Sequence, residues 1–201
     1  MGRGHGGSRG GGGAKGFQGD ATMRGMSAGL AKALSEREKL IRQNDDYEMG
    51  TVYDEHGNVV FNNDHGNTGS VYLGADYKDR IVTHSHPMHG VPNPFGQSLS
   101  GGKNSDIDIA MRYDAKEFRA VTRNYTYTMK RPAQGWGNPD RMVKEWKKVS
   151  LAVNRRDNKF LESYKGDKAA ENRRLGYTRA HRINKEFARK FGIEYIKLRV
   201  N

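Results

Sequence analysis

The sequence predicts an α/β fold of the α+β type, in which a mixed β-sheet carries flanking helices. Two observations support this prediction. Short apolar stretches bounded by Gly, Pro, Asn and Asp occupy the middle of the chain and are typical of strands and turns. On either side, apolar residues recur at helical spacing, over residues 26–44 and over two long segments, 140–164 and 167–191.

The composition divides the 201 residues into four segments. Residues 1–25 are rich in Gly and Arg and lack apolar side chains that could offset the entropy of ordering, which predicts a disordered tail. An N-terminal helix is expected over 26–45, a compact core over 46–135 and a basic, mostly helical extension over 136–201.

Within the core, apolar runs and turn residues predict individual elements. Residues 47–62 indicate a hairpin around the turn-forming segment 54–58. Residues 79–87 indicate a buried strand that ends at its proline, and the Gly- and Pro-rich stretch 86–104 indicates a loop. The remaining expected elements are a helix over 105–116, one or two strands over 117–131 and a closing strand over 193–200.

The formal net charge of +12 is concentrated near the C-terminus. Residues 1–130 contain 16 Lys and Arg against 15 Asp and Glu, whereas residues 131–201 contain 19 against 8. Such a basic segment favours an acidic partner, and weak nucleic-acid binding through this last third is one prediction. A solvated basic helical surface is the plainer alternative. The Gly/Arg tail is interpreted as a linker or as a segment that binds nucleic acid loosely.

The chain contains no Cys, which excludes disulfides, thiolate zinc ligands and cysteine nucleophiles. Its first residues lack the apolar stretch of a secretory signal. No run approaches the roughly 18 apolar residues that span a bilayer. These observations predict a cytoplasmic protein with no membrane partner.

The residues that carry chemistry begin with Thr83-His84-Ser85-His86-Pro87 at the end of the predicted strand. Side chains two apart on a strand point to the same face, so both imidazoles can converge on one metal ion. A catalytic zinc site needs a third protein ligand and an open fourth position for water. Ser105 and Asp108 follow at the start of a predicted helix, where the Ser-x-x-Asp spacing also fits a helix cap.

Together, the H-x-H-P of residues 84–87 and the S-x-x-D of residues 105–108 resemble the signature of the JAB/MPN (JAMM) metallopeptidases, including RadC-like and phage- or toxin-associated members. The resemblance covers residues 46–130. It implies a JAB/MPN-like core with the layering of cytidine deaminases, and a Zn²⁺ ion held by His84, His86 and Asp108. It also implies that the hydroxyl of Ser105 stabilises the oxyanion of the reaction.

The family also uses an upstream glutamate as general base. Glu48, just before the first predicted strand, is the residue assigned to this role. Glu55 lies in a predicted turn and Asp46 has a shorter side chain, so both rank below Glu48. A solvated charge at the junction of helix and strand is the alternative for Glu48.

The chain departs from the family's pattern between the second histidine and the serine. Eighteen residues separate His86 from Ser105, where typical members have a short gap. This loop is expected to border the cleft. It leaves Ser98 and Ser100 as alternatives to Ser105, although neither has an Asp three residues later. His89 is interpreted as an extra ligand, a lid residue or an exposed side chain.

Three functions compete. The resemblance implies a zinc metallopeptidase that hydrolyses a peptide or isopeptide bond in a protein or peptide, such as a ubiquitin-like conjugate or a phage or mobile-element protein. The alternative is a nucleic-acid-binding protein that uses the Gly/Arg tail and the basic last third around an inactive JAB-like scaffold. A third function is a metal-dependent nuclease with the same ligands. The presence of every residue type that the peptidase chemistry requires favours the first.

Overall fold

The computed structural model describes residues 21–90 and 93–200. Within these ranges six strands form one sheet: β1 (Gly50–Tyr53), β2 (Val59–Asn63), β3 (Ile81–Ser85), β4 (Glu117–Val121), β5 (Tyr125–Lys130) and β6 (Glu194–Arg199). The α-helices of the same ranges are α1 (Ala28–Ile41), α2 (Asp106–Arg112), α3 (Pro139–Ser163) and α4 (Lys168–Phe191). The predicted α/β class, with a mixed sheet and flanking helices, is confirmed.

The sheet contains one parallel pair. In spatial order its strands run β2-β1-β3-β4-β5-β6. Strands β3 and β4 are parallel, and every other neighbouring pair is antiparallel. Parallel neighbours need a crossover connection, and the chain between β3 and β4 supplies it with a long loop followed by α2.

The long helices begin at side-chain caps. Asn138 caps α3, whose first residue is Pro139, and Asp167 caps α4. Gly192 ends α4 in the left-handed conformation that helix ends favour, with φ of 65°. None of the helices in the described part of the chain combines the length and the apolar character needed to cross a membrane.

The two faces of the sheet are covered by different helices. On one face α1 packs Leu30 and Leu34 against Ile81 of β3. On the other face α2, α3 and α4 form the larger core, in which Val82 of β3 and Phe187 of α4 are fully buried. Strand β3 is therefore buried on both sides along its whole length.

The C-terminal third belongs to the same core, which differs from the predicted division into a core over 46–135 and an extension over 136–201. Strand β6 pairs with β5 along its full length. Helices α3 and α4 contribute Val149, Val153 and Ile183 to the main apolar cluster. Composition alone suggested a separate extension because the outward faces of α3 and α4 are strongly basic.

The predicted disordered tail, residues 1–25, lies mostly outside the described residues. Its last part is ordered, because Ala21–Met23 form a short 3-10 helix in which Thr22 is fully buried. The carbonyl and the hydroxyl of Thr22 both accept hydrogen bonds from the guanidinium of Arg119. A charged residue of β4 thus fixes the start of the described chain.

Arg119 is the centre of a buried charged network between α1 and the sheet. Its side chain is fully buried, and its Nε lies 2.6 Å from Oε1 of Glu38. Its second carboxylate partner is Glu117, which is also buried. Glu38 in turn accepts from Thr126 and from Arg42. Because each buried carboxylate has a charged partner, the cost of removing these groups from water is offset.

Replacement of Arg119 by Met should destabilise the fold strongly, because it leaves the buried carboxylate of Glu117 without its ion-pair partner and leaves Glu38 with Arg42 alone. We expect the free energy of unfolding to fall by about 3–5 kcal/mol in chemical denaturation. The matched control is Lys32→Met, which breaks the exposed pair between Lys32 and Glu36 and should cost less than about 1 kcal/mol. Similar small changes in the two variants would contradict this role for Arg119.

Candidate metal centre

Two histidines converge at the end of the central strand. His84 lies on β3 and His86 follows it, with its backbone N–H bonded to the carbonyl of Val121 on β4 at 2.8 Å. Both side chains are buried, at 3% and 6% exposed. Because residues two apart on an extended chain share a face, both imidazoles point away from α1, towards α2.

Asp106 completes the cluster from the first residue of α2. Its Oδ1 lies 3.3 Å from Nε2 of His84, and its Oδ2 lies 3.3 Å from Nε2 of His86. The backbone N–H of Ser100 donates to Oδ2 at 2.6 Å, and the backbone N–H of Asp106 donates to the Ser100 hydroxyl at 3.2 Å. Ser100 therefore fixes the orientation of the carboxylate.

The Nδ1 atoms of the two imidazoles differ in their hydrogen bonding. Nδ1 of His86 lies 2.9 Å from the carbonyl of Gln97, so it carries the proton and leaves Nε2 with a free lone pair in the neutral ring. Nδ1 of His84 is buried and has no hydrogen-bond partner among the described residues. The two Nε2 atoms lie only 2.9 Å apart. A backbone carbonyl behind an imidazole is a common way to orient a metal-ligating histidine.

The carboxylate of Asp106 and the imidazole of His86 shift each other's pKa. Burial lowers the pKa of His86, but the charge of Asp106 and a hydrogen bond to it outweigh burial and raise the value to about 9. Burial raises the pKa of Asp106, but the two histidines outweigh it and hold that pKa well below its usual range. The site therefore favours a positive charge between these three side chains, which a metal ion can supply in place of a proton.

The donor set fits a metal ion. Nitrogen and oxygen ligands at about 2.0–2.1 Å from a tetrahedral ion lie roughly 3.3–3.4 Å from one another. The separations here, 2.9 and 3.3 Å, are close to these values. Two imidazoles and one carboxylate suit zinc and also non-haem iron. With three protein ligands, a further coordination position is left for water or a substrate.

Asp108, the predicted third ligand, does not lie in this cluster. It is fully buried; its Oδ2 accepts from the backbone N–H of Asn104, and its Oδ1 lies 2.8 Å from Nε of Arg112. Residues two apart on a helix point about 200° apart around its axis, so Asp106 and Asp108 cannot both face the histidines. Ser105 is the N-cap residue of α2, but its side chain makes no capping hydrogen bond there, so the expected Ser-x-x-Asp cap is not formed. The carboxylate that faces the histidines is that of Asp106.

The three serines of this region have distinct positions. Ser105 is the N-cap residue of α2, and its hydroxyl donates to the carbonyl of Gly102 at 2.7 Å. Ser100 and Ser105 both line the cleft in front of the metal site. Ser98 instead lies in the core, within 2.7 Å of the Tyr195 hydroxyl. The sequence suggested all three, and only the packing of the loop separates them.

Glu48 lies on the same face of the sheet as the two histidines. Strands β1 and β3 are antiparallel with Gly50 opposite His84, so Glu48 comes opposite His86 when this register is continued. Its backbone is held by hydrogen bonds to Asn67 and from Gly66. Only 8% of Glu48 is exposed. Burial raises the pKa of its carboxyl, against the opposing effect of His84 and His86.

A cleft of about 320 Å³ opens in front of these groups. The polar groups Glu48, His84, His86, Ser100, Ser105 and Asp106 line this cleft together with Thr68 to Val71. His89 lies at its edge, largely exposed, with Nε2 2.6 Å from the carbonyl of Thr68. His89 is not among the clustered metal-ligating residues.

Comparison of the chain with protein-family models, curated proteins and solved structures finds no match. The resemblance to JAB/MPN metallopeptidases therefore rests on the residues of the site alone.

The two aspartates of α2 should differ sharply in their effect on metal binding. We expect wild-type protein to bind one metal ion per chain, measured by elemental analysis after dialysis against trace metals. Asp106→Asn should weaken affinity by more than about 100-fold, since changes outside the ligand set alone cost about 10–100-fold. Asp108→Asn, the matched control, should retain the ion despite lower stability. Loss of the ion in Asp108→Asn but not in Asp106→Asn would show that Asp108 is the third ligand.

Proposed function

We propose that this protein is a zinc-dependent hydrolase of peptide or isopeptide bonds, with His84, His86 and Asp106 as metal ligands. The observation that carries the proposal is that these three side chains and Glu48 converge on one cleft. His84, His86 and Asp106 would hold the zinc ion, which would supply a Lewis acid and would lower the pKa of a bound water to about 7.

Glu48 is proposed as the general base and, later, the general acid. A base must lie within reach of the water that it deprotonates, and the antiparallel register brings Glu48 opposite His86. Its burial raises the pKa of its carboxyl, which makes it a better proton acceptor and donor near neutral pH. A carboxylate in this position can pass the proton to the leaving amine.

The hydroxyls of Ser100 and Ser105 are the candidate oxyanion donors. Both residues line the cleft beside Asp106. The hydroxyl of Ser105 donates to Gly102, so it must turn towards the substrate to act. The hydroxyl of Ser100 accepts from Asp106 N–H, which leaves its proton available for donation. Ser100 therefore joins Ser105 in this role.

The lining of the cleft favours an amide over a phosphodiester substrate. Among the described residues that line it, none is Lys or Arg. Phosphoryl transfer depends on positive groups that stabilise the charge on the phosphate oxygens. A neutral amide has no such requirement, so a protein or peptide, including a ubiquitin-like conjugate, is the substrate class that we propose.

Glu48→Gln should abolish turnover and preserve zinc binding. We expect activity to fall by about 10²–10⁴-fold, since the amide cannot accept the proton. Two probes cover the proposed substrates: a panel of isopeptide-linked diubiquitins and a peptide library from a digested proteome, with new termini mapped by mass spectrometry.

The matched control for this variant is Glu55→Gln, which changes an exposed glutamate in the turn between β1 and β2. It should leave activity and zinc content unchanged. Absence of zinc-dependent cleavage in the wild type, or full activity in Glu48→Gln, would refute the proposed mechanism.

A second candidate function is the binding of a polyanion such as nucleic acid by α3. Four basic residues occupy one face of this helix at helical spacing: Arg141, Lys144, Arg155 and Lys159. All four are exposed, and none forms an ion pair with a carboxylate in the described part of the chain. From first to last they span about 27 Å. This unneutralised stripe is the specific observation that favours the second function.

Neutralising the stripe should weaken binding to a random-sequence DNA duplex more than an equal change elsewhere. In the variant in which all four residues are replaced by Gln, we expect the slope of log binding constant against log salt concentration to become shallower by about 0.9 for each lost phosphate contact. The control replaces four exposed lysines on other surfaces with Gln: Lys32, Lys39, Lys78 and Lys116. Equal effects in both variants would show that binding depends on the net charge of the protein and not on the position of these four residues.

A further inference from the structure

A second cavity lies beside the metal cleft, between the long loop and helices α3 and α4. Its volume is about 580 Å³, and we call it the apolar groove. Most of its surface comes from apolar side chains, chiefly Met88, Leu99, Trp146, Tyr177 and Ile183. Among the described lining residues Arg179 alone carries a guanidinium, and its Nε lies 3.2 Å from Oδ2 of Asp157. A groove with this lining suits an uncharged apolar group.

The apolar groove is adjacent to the metal cleft. The two cavities share four lining residues: Pro87, His89, Gln97 and Ser100. Two of these contact the proposed ligands directly, because the Gln97 carbonyl accepts from His86 and the Ser100 N–H donates to Asp106. A group in the groove therefore lies next to a bond held at the metal site.

The walls of the groove are preformed. Trp146 packs on Gly101, where any Cβ would lie 2.0 Å from the indole ring, so glycine is required for this contact. The indole N–H donates to Asn184 at 2.9 Å, and Asn184 donates to the carbonyl of Leu99 at 2.7 Å. These bonds tie the loop, α3 and α4 together around the cavity.

The exposed part of the groove's lining includes a glycine in the middle of a helix. Gly176 lies inside α4, where glycine is less favourable than alanine. No packing explains its presence, since a Cβ built there would meet nothing within 4 Å among the described residues. Because Gly176 is exposed and lines the groove, a large side chain there has room to lie across the mouth of the groove.

We propose that the apolar groove is a specificity pocket that receives an apolar side chain of the polypeptide substrate next to the scissile bond, and that the absence of a side chain at Gly176 leaves the mouth of the groove open. This inference rests on the proposed function and names a preference within its substrate class. Burial of one Leu or Phe side chain in such a pocket is worth about tenfold or more in affinity.

The test uses N-acetyl amino acid hydroxamates with Gly, Leu or Phe side chains, which chelate zinc and present one side chain to the neighbouring pocket. Their dissociation constants for the zinc-loaded protein are measured by calorimetry. We expect the Leu and Phe compounds to bind the wild type about tenfold or more tightly than the Gly compound. Gly176→Leu should remove this preference and leave the affinity for the Gly compound unchanged.

Two controls separate the pocket from general effects. Gly176→Ala adds a single methyl group and should keep most of the preference, and Ala170→Leu adds the same side chain at an exposed position of α4 away from the groove. Equal affinity of the wild type for all three compounds, or a preference that survives in Gly176→Leu, would overturn the specificity pocket alone. If the protein binds neither zinc nor any hydroxamate, the proposed function fails, and the pocket fails with it.

Discussion

The parallel pairing of β3 with β4 is the constraint on which the site depends. Parallel neighbours cannot be joined by a tight turn, so the chain must leave the end of β3, cross over the sheet and return to the start of β4. Because the crossover ends in α2, the first turn of that helix lies beside the end of β3. His86 follows the end of β3, and Asp106 is the first residue of α2. The crossover therefore brings the Asp106 carboxylate next to the imidazoles of His84 and His86. Ligand sites at the carboxyl ends of parallel strands have the same origin.

Strand β3 carries polar groups on both faces, and each face uses them differently. Thr83 faces α1, where the buried pair of Glu38 and Arg119 holds the helix to the sheet. Ser85 points to the same side, and its hydroxyl accepts from the backbone N–H of Met49. That bond fixes Met49, the residue next to Glu48. A side chain on the α1 side of β3 therefore helps to position Glu48, which lies on the opposite side with the two histidines.

The sequence predicted the architecture well, because apolar periodicity and capping residues mark the long helices and the hairpin directly. It also indicated both histidines, since alternation along a strand is a local property. The sequence could not identify the third candidate ligand for a physical reason. Asp106 and Asp108 are the same residue type two positions apart, and only the rotation of α2 about its axis decides which of them faces the histidines. The sequence also did not show that α3, α4 and β6 belong to the main core. Basic residues dominate the composition of this segment, and only a few apolar side chains make the contacts with the core.

The long loop between His86 and Ser105 is held in place by contacts with the C-terminal third of the chain. Ser98 lies within hydrogen-bond distance of both Tyr195 on β6 and Asn184 on α4, so the loop is bound to elements far away in the sequence. The same loop supplies the Gln97 carbonyl that orients His86. Through Gln97 and Ser98, this loop connects the candidate ligand His86 to α4 and β6.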